Sequence, residues 1–479
     1  MKLRNILYLI LFSIFITACS LEEDPPSNLA PTNFYQSSSD AVAAVNAVYD
    51  AFNQIGDQSR NLIIMGDIPS DDANPLPINA DRVQIGAFST APTNGIVLQT
   101  WQVIYQGINR SNAAIDRIPN IAMDGKLQAR LVAEAKFMRA VYYFYLVRWY
   151  GGVPLMLSET TSLEAGKDIA RASVPEVYAQ IIKDLTEAES ALPEIYTGAD
   201  LGRATAGAAK AMLAKVYLTT KDFTKARDKA QEVITNAAKY KYGLFDKYID
   251  VFAVGNKNGK ESVFEIQFVA GGVGQGNGMI TYFAIENSPV TGRGFGSFFP
   301  TVELYNSYAP GDKRKELYIN SYVNSAGQTV TTYQHFNKYV DPAAKAFPEG
   351  NNNFPIIRYA DVLMMFAEAE NEVAGPTASA IEFVNQIRRR AFGFPLTMPS
   401  TADLASGIPK DEFRTKIYEE IRWEFVAEGH RWFDLVRTGR LVSVLQAKGK
   451  TNVAEKHNLF PIPQRERDLN PKLEQNPGY

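Results

Sequence analysis

The stretch ATAGAAKAMLAKVYLTTKDFTKARDKAQEVITNA, residues 204–237, decides the fold. Apolar residues recur at intervals of three and four on both sides of Lys221-Asp222, which predicts two amphipathic helices, 204–220 and 223–237, joined by a tight turn. Leu213, Ala214 and Tyr217 precede the turn, and Ala226, Ala230 and Val233 follow it. Alanines at these positions let two antiparallel helices approach closely, and the larger residues fill the gap between them.

Those offsets resemble the tetratricopeptide pattern, in which each hairpin buries its face by stacking on the next. On the N-terminal side, Ala140 and Tyr143 fit the first helix of such a repeat, and Leu185, Ala188 and Pro193 fit the second across a long insertion. On the C-terminal side, 357–391 is a third candidate, with Ala367 at the small-residue position. Further helices are predicted at 38–55, 98–118, 127–149, 174–191 and 411–436. The fold class is therefore mainly α, a tetratricopeptide-like helical-hairpin scaffold with a few short strands, one of them at 262–269. Two long irregular regions interrupt it, at about 61–97 and 253–356. The second holds a glycine-rich run from Gly271 to Gly278 and the aromatics Tyr282, Phe283, Phe295, Phe298 and Phe299. Irregular segments this long are uncommon inside a compact domain and are often functional.

Composition narrows the function classes. With 479 residues, 46% hydrophobic and 21% charged, the chain is neither globally disordered nor a multispan membrane protein. Lys plus Arg is 49 against 52 for Asp plus Glu, so no bulk charge attracts nucleic acid. Cys19 is the only cysteine, which excludes an internal disulfide framework, a cysteine zinc site and an iron–sulfur cluster. The three histidines, His335, His430 and His457, lack a spacing that would put two imidazoles on one helical face.

Residues 1–18 read as a secretory signal peptide: Lys2 and Arg4, an apolar run from Ile6 to Ile16 too short to span a membrane, then Thr17-Ala18. Ile16-Thr17-Ala18-Cys19 resembles a bacterial lipobox, so Cys19 is expected to be cleaved and acylated as a lipid anchor. Residues 19–36 then form a hydrated tether, with Glu22-Glu23-Asp24 followed by a Pro, Ser and Asn stretch. Residues 37–479 are expected to form a single domain.

Several motifs occur in order along that domain. They are Trp101…Tyr105-Gln106-Gly107-Ile108-Asn109-Arg110-Ser111-Asn112, Ala133-Glu134-Ala135 through Tyr142-Tyr143, and Arg148-Trp149-Tyr150-Gly151-Gly152-Val153-Pro154. Arg358-Tyr359-Ala360-Asp361, Glu420-Ile421-Arg422-Trp423-Glu424-Phe425 through His430-Arg431-Trp432-Phe433-Asp434, and the tail Gln475-Asn476-Pro477-Gly478-Tyr479 complete the set. Together they resemble the SusD/RagB-type outer-membrane lipoproteins of Bacteroidota nutrient-uptake systems. The resemblance implies a non-enzymatic, surface-exposed lipoprotein of the outer membrane. Such a protein captures oligosaccharide, or in some relatives peptide, and delivers it to a TonB-dependent transporter. It also implies that the acidic cluster behind Cys19 serves as a surface-export signal.

Sugar rings stack their CH faces on aromatic planes, while their hydroxyls need amides, carboxylates or Arg. Asp81, Arg82, Asn94, Tyr282, Phe283, Phe295 and Phe298 supply that chemistry and are the expected ligand-binding residues. The four tryptophans are expected in the core. A rival enzyme reading, a glycoside hydrolase, would need an acidic pair such as Asp71 and Asp81 flanking a cleft. Glu420 and Glu424 share a helical face, but amid Trp423, Phe425 and Trp432 they read as partly buried ion pairs. A second rival is a scaffold or adhesion module that binds peptides on its hairpins. No cofactor is expected. Asp67, Asp71, Asp72 and Asp81 could offer oxygen ligands to a structural Ca²⁺, although EF-hand spacing is absent. The glycine run 271–278 lacks phosphate-loop spacing and reads as a flexible loop.

Overall fold

The computed structural model describes residues 34–479 apart from 55–59, 163, 273, 287, 289–293, 342 and 345–348. The signal peptide, Cys19 and the tether up to residue 33 lie outside the described residues. The helices longer than one turn are α1 (Ser38–Asn53), α2 (Arg60–Gly66), α3 (Ala80–Gly86), α4 (Gly95–Arg117), α5 (Gly125–Tyr150), α6 (Val174–Ala191), α7 (Ala206–Thr219) and α8 (Phe223–Thr235). They continue with α9 (Met279–Phe283), α10 (Val302–Ser307), α11 (Tyr359–Ala374), α12 (Ala378–Phe392), α13 (Lys410–Glu424), α14 (Arg431–Arg437), α15 (Leu441–Ala447) and α16 (Gln464–Leu469). Many begin where a side chain can satisfy the free N–H groups of a first turn. Ser37 with Asp40 and Ser173 with Glu176 form reciprocal caps at α1 and α6, while Thr205 and Asp222 cap α7 and α8.

The 204–237 hairpin forms as α7 and α8, turned by Lys221 in the left-handed region at φ 62°. It is one step in a continuous array: α4 packs on α5, α5 on α6, α6 on α7, α7 on α8, α8 on α11 and α11 on α12. The array thus continues past the long 236–358 excursion, and α1 covers α4 and α5. At the α4–α5 crossing, a Cβ on Gly107 would lie 2.5 Å from the Tyr142 ring, so only glycine permits the approach. Trp101, Trp149 and Trp432 are buried in the core and Trp423 is half-buried, donating from Nε1 to Ser307 Oγ at 2.9 Å.

Among the described residues the strands form three antiparallel ribbons. These are β1 (Ala73–Pro75) with β3 (Phe298–Pro300), β2 (Ser262–Ile266) with β6 (Phe354–Arg358), and β4 (Tyr318–Val323) with β5 (Thr329–Phe336). The region at 61–97 is more regular than expected. The run Leu62-Ile63-Ile64-Met65 buries itself as α2, and Asn79 caps α3.

The helix expected at 411–436 is broken into α13 and α14. Ala427 and Gly429 adopt left-handed backbone, φ 58° and 74°. Asp67, immediately after α2, accepts hydrogen bonds from the N–H groups of Gly429 and Arg431 at 2.8 and 3.2 Å. Gly66 faces this turn, where a Cβ would lie 2.4 Å from the Gly429 carbonyl oxygen.

Glu420 and Glu424 are fully buried rather than partly so, inside a network of opposite charges. Arg314 pairs with Asp312 and Glu420 at 2.7 and 2.6 Å; Arg358 pairs with Glu261, Glu424 and Glu428 at 2.7, 3.0 and 2.8 Å. Arg390 pairs with Glu261 and Glu424 at 2.6 Å each, Lys338 with Glu428 at 2.6 Å, and Arg388 with Glu420 at 3.1 Å. Five cations (Arg314, Lys338, Arg358, Arg388, Arg390) thus meet five carboxylates (Glu261, Asp312, Glu420, Glu424, Glu428). Burial of charge on this scale is tolerable only because the charges are paired and hydrogen-bonded. Burial pulls the Lys338 ammonium down to about 8 although Glu428 opposes it.

Candidate functional site

The two excursions expected to carry the site meet at the β1–β3 ribbon, where Asn74 pairs with Phe299 and Pro75 with Phe298. Behind β1, the Asn79 cap accepts from Arg82 N–H at 3.0 Å and starts α3. The Arg82 guanidinium lies 5.1 Å from the centroid of the Tyr282 ring and 5.6 Å from that of Phe298. Arg60, at the start of α2, lies 4.7 Å from the same Tyr282 centroid and donates to the Tyr282 hydroxyl. Tyr282 in turn contacts Phe295 at 5.5 Å. Tyr282 and Phe295 are half-buried. Arg82 is buried and braces the ring, while Arg60 is half-buried, so the partly open ring offers a stacking plane with the Arg60 guanidinium as the charged donor beside it.

The remaining expected ligand residues play structural parts. Phe283 and Phe298 are buried and cannot stack a ligand. Phe283 packs against Phe298, Phe336 and Tyr339, and Phe298 is on the inward face of β3, where strand alternation sends its neighbour Phe299 the other way. Asn94 is buried as the cap of α4, with Oδ1 accepting from Ile96 and Val97 N–H and Nδ2 donating to the Asp81 carbonyl and Gln84 Oε1. The Asp81 carboxylate accepts from Gly95 N–H at 3.2 Å. Asp81 and Asn94 therefore lock α3 to α4 and position Arg82.

The acids proposed for calcium or for hydrolysis have other partners. Asp71 is gripped by Arg431 through Nε and Nη2 at 2.8 and 3.0 Å and by Arg422 at 3.1 Å. Burial works to raise its carboxyl, but the two arginines outweigh it and hold the group at about 2. Asp72 pairs with Arg422 at 2.6 Å, and Asp67 holds the 429–431 turn. Asp71 therefore carries no proton to give as a general acid. Among the described residues no group of three or more His, Cys, Asp or Glu side chains is arranged to hold a metal ion. His430 is half-buried, stacked on Phe425 at 5.2 Å, with loss of solvent first and nearby cations second pushing its pKa far down.

Arg60 escaped the sequence reading because nothing local marks the residue ahead of an apolar helix as a partner for an aromatic ring over two hundred positions away. Tyr333 also escaped. Its exposure follows from the alternating burial of β5, a pattern visible only once 329–336 is read as a strand.

A family model described as the SusD family matches residues 314–479, and one described as "Starch-binding associating with outer membrane" matches 20–218. The SusD-like protein P2 of Formosa agariphila is 30% identical over 100% of both chains. Among solved structures, a laminarin-binding SusD-like protein superposes with a TM-score of 0.80 at 29% identity, covering 93% of this chain and all of that one. A SusD homologue from Bacteroides thetaiotaomicron gives 0.83 at 26% identity, covering 93% of this chain and 98% of its own. A relative matched end to end and solved structures that share the backbone over 93% of the chain lead to one assignment: the chain belongs to the SusD family.

Proposed function

We propose that this protein is a non-catalytic, carbohydrate-binding lipoprotein of the outer membrane. It is held by lipidated Cys19 with its body facing the cell exterior, captures oligosaccharide and hands it to a TonB-dependent transporter. The observation that carries the binding site is the Arg60–Tyr282–Arg82 arrangement with Phe295 alongside: a partly open ring with the Arg60 guanidinium beside it, braced by buried Arg82 on a rigid helical support. Laminarin binding by a structural relative at 29% identity supports a glycan as the ligand. The engagement of Asp71 by two arginines argues against hydrolysis by that residue.

Isothermal calorimetry of the full-length protein against laminarin and starch oligosaccharides and mixed short peptides tests the reading, with chromatography of the recovered ligand. Binding of a glycan that is returned intact is the expected result. Peptide binding alone would make this a peptide-uptake protein, and steady cleavage of the glycan would restore the hydrolase.

A further inference from the structure

A second aromatic group lies on the other side of the segment that carries Tyr282. Phe299, directed away from Phe298 by strand alternation, is half-buried and its ring centroid lies 4.7 Å from that of Tyr333 on β5. Tyr333 stacks on His335 at 4.7 Å with 22° between the planes, yet is 48% exposed. An aromatic ring so well supported on its neighbours and so open to solvent is a ready platform for an apolar ligand face.

The surroundings of Tyr333 define what could lie there. The exposed residue Glu286 belongs to the same neighbourhood: a Cβ on Gly296 would lie 3.5 Å from the Glu286 backbone nitrogen, and Gly296 lies against His335, the ring on which Tyr333 stacks. Partial burial, and then the charge of Glu286, push the Tyr333 hydroxyl upward. Glu286 bridges to Gly294, one residue before Phe295. At Gly296 a Cβ would lie 2.9 Å from the His335 ring, so the backbone passes directly over that ring. Burial lowers His335 to about 4, so the imidazole is neutral at ordinary pH. This end of the surface thus combines stacking planes with a carboxylate acceptor and has no cation among Phe299, Tyr333, His335 and Glu286. The Arg60–Arg82 end is cationic.

We propose that Phe299, Tyr333 and Glu286 form a second carbohydrate subsite, linked to Phe295 by the backbone of Gly296, which passes over the His335 ring that supports Tyr333. The ligand is then a chain of several sugar units, one of which lies on Tyr333. The inference rests on the glycan reading above. A hydroxyl-bearing ring satisfies both parts of the subsite, because its CH face covers Tyr333 while a hydroxyl donates to Glu286.

The test uses the full-length protein and the di- and hexasaccharides of laminarin. Tyr333→Ala should weaken hexasaccharide binding by roughly tenfold and leave the disaccharide unchanged, as expected for loss of one contact of about 1.4 kcal/mol. Tyr333→Phe should keep hexasaccharide affinity, Glu286→Gln should weaken it less than Tyr333→Ala does, and Tyr282→Ala should weaken both sugars. Unchanged hexasaccharide binding in Tyr333→Ala, with loss in Tyr282→Ala, would remove the second subsite and leave the first standing. Absence of binding by the wild type would remove both. If Tyr333→Ala also melts earlier, Tyr333→Phe and Glu286→Gln carry the decision, and wild-type-like binding in Glu286→Gln with loss in Tyr333→Phe would overturn the stacking argument.

Discussion

Tyr282 and Phe283 are adjacent in sequence and differ in what surrounds them. Tyr282→Ala removes a half-buried ring flanked by Arg60 and Arg82, so ligand affinity should fall by roughly 5- to 150-fold with little change in melting temperature. Phe283→Ala instead empties a space among Phe298, Phe336 and Tyr339 and should cost about 3–5 kcal/mol of stability. Calorimetry beside a thermal melt separates the two, and equal effects on both quantities in both variants would sink the distinction. Asp67 allows a test in pH. Burial raises its carboxyl from 3.8 to about 7, against the pull of the Gly429 and Arg431 N–H groups. As pH climbs from about 4 to 7 the unfolded chain releases this proton while the folded one retains it, so the group's contribution to stability is full at the acid end and is lost across that window. Asp67→Asn cannot ionise, and its melting temperature should drop less between pH 5 and pH 8 than that of the wild type. An equal drop would mean that Asp67 does not titrate there.

At the level of elements, the hairpins were legible because caps and periodicity are local properties: the helix expected at 174–191 forms at Val174–Ala191, and that at 223–237 at Phe223–Thr235. What could not be read was long-range. The run 411–436 has helical spacing throughout, and only Asp67, more than three hundred residues earlier, redirects the N–H groups that would have continued the helix. The site was half legible for the same reason. Residue types pointed to two excursions, and the fold sorted their residues, turning Arg82, Tyr282 and Phe295 toward one another and sending Phe283, Phe298 and Asn94 into packing and capping. Gly429→Ala tests the redirected turn. A side chain there must hold φ 74° and place its Cβ 2.9 Å from the Leu62 carbonyl oxygen, so a loss of at least about 1–3 kcal/mol is expected in a denaturation series. A variant as stable as the wild type would show that the turn relaxes at no cost.

For the molecule as a whole, the buried charge network joins segments from 261 to 428. Glu424→Gln removes the charge that Arg358 and Arg390 share and should destabilise the protein by about 3–5 kcal/mol, as breaking one member of a buried pair does. Ligand affinity measured well below the melting temperature should stay unchanged; a matching fall in affinity would couple the network to the site. Cys19→Ala should move the protein from the membrane fraction to the soluble one, and a variant that stays membrane-bound would refute the lipid anchor. The network also orders events during synthesis. Arg314, Arg358 and Arg390 emerge from the ribosome before Glu420, Glu424 and Glu428, and until then have only Asp312 and Glu261 from the network to neutralise them. A chain stopped short of residue 420 would leave uncompensated charge where its interior should close, and limited proteolysis should cut it faster than the finished protein. On that expectation the last carboxylates would serve as a check on completeness, a nearly full-length fragment gaining little of the durability of the whole.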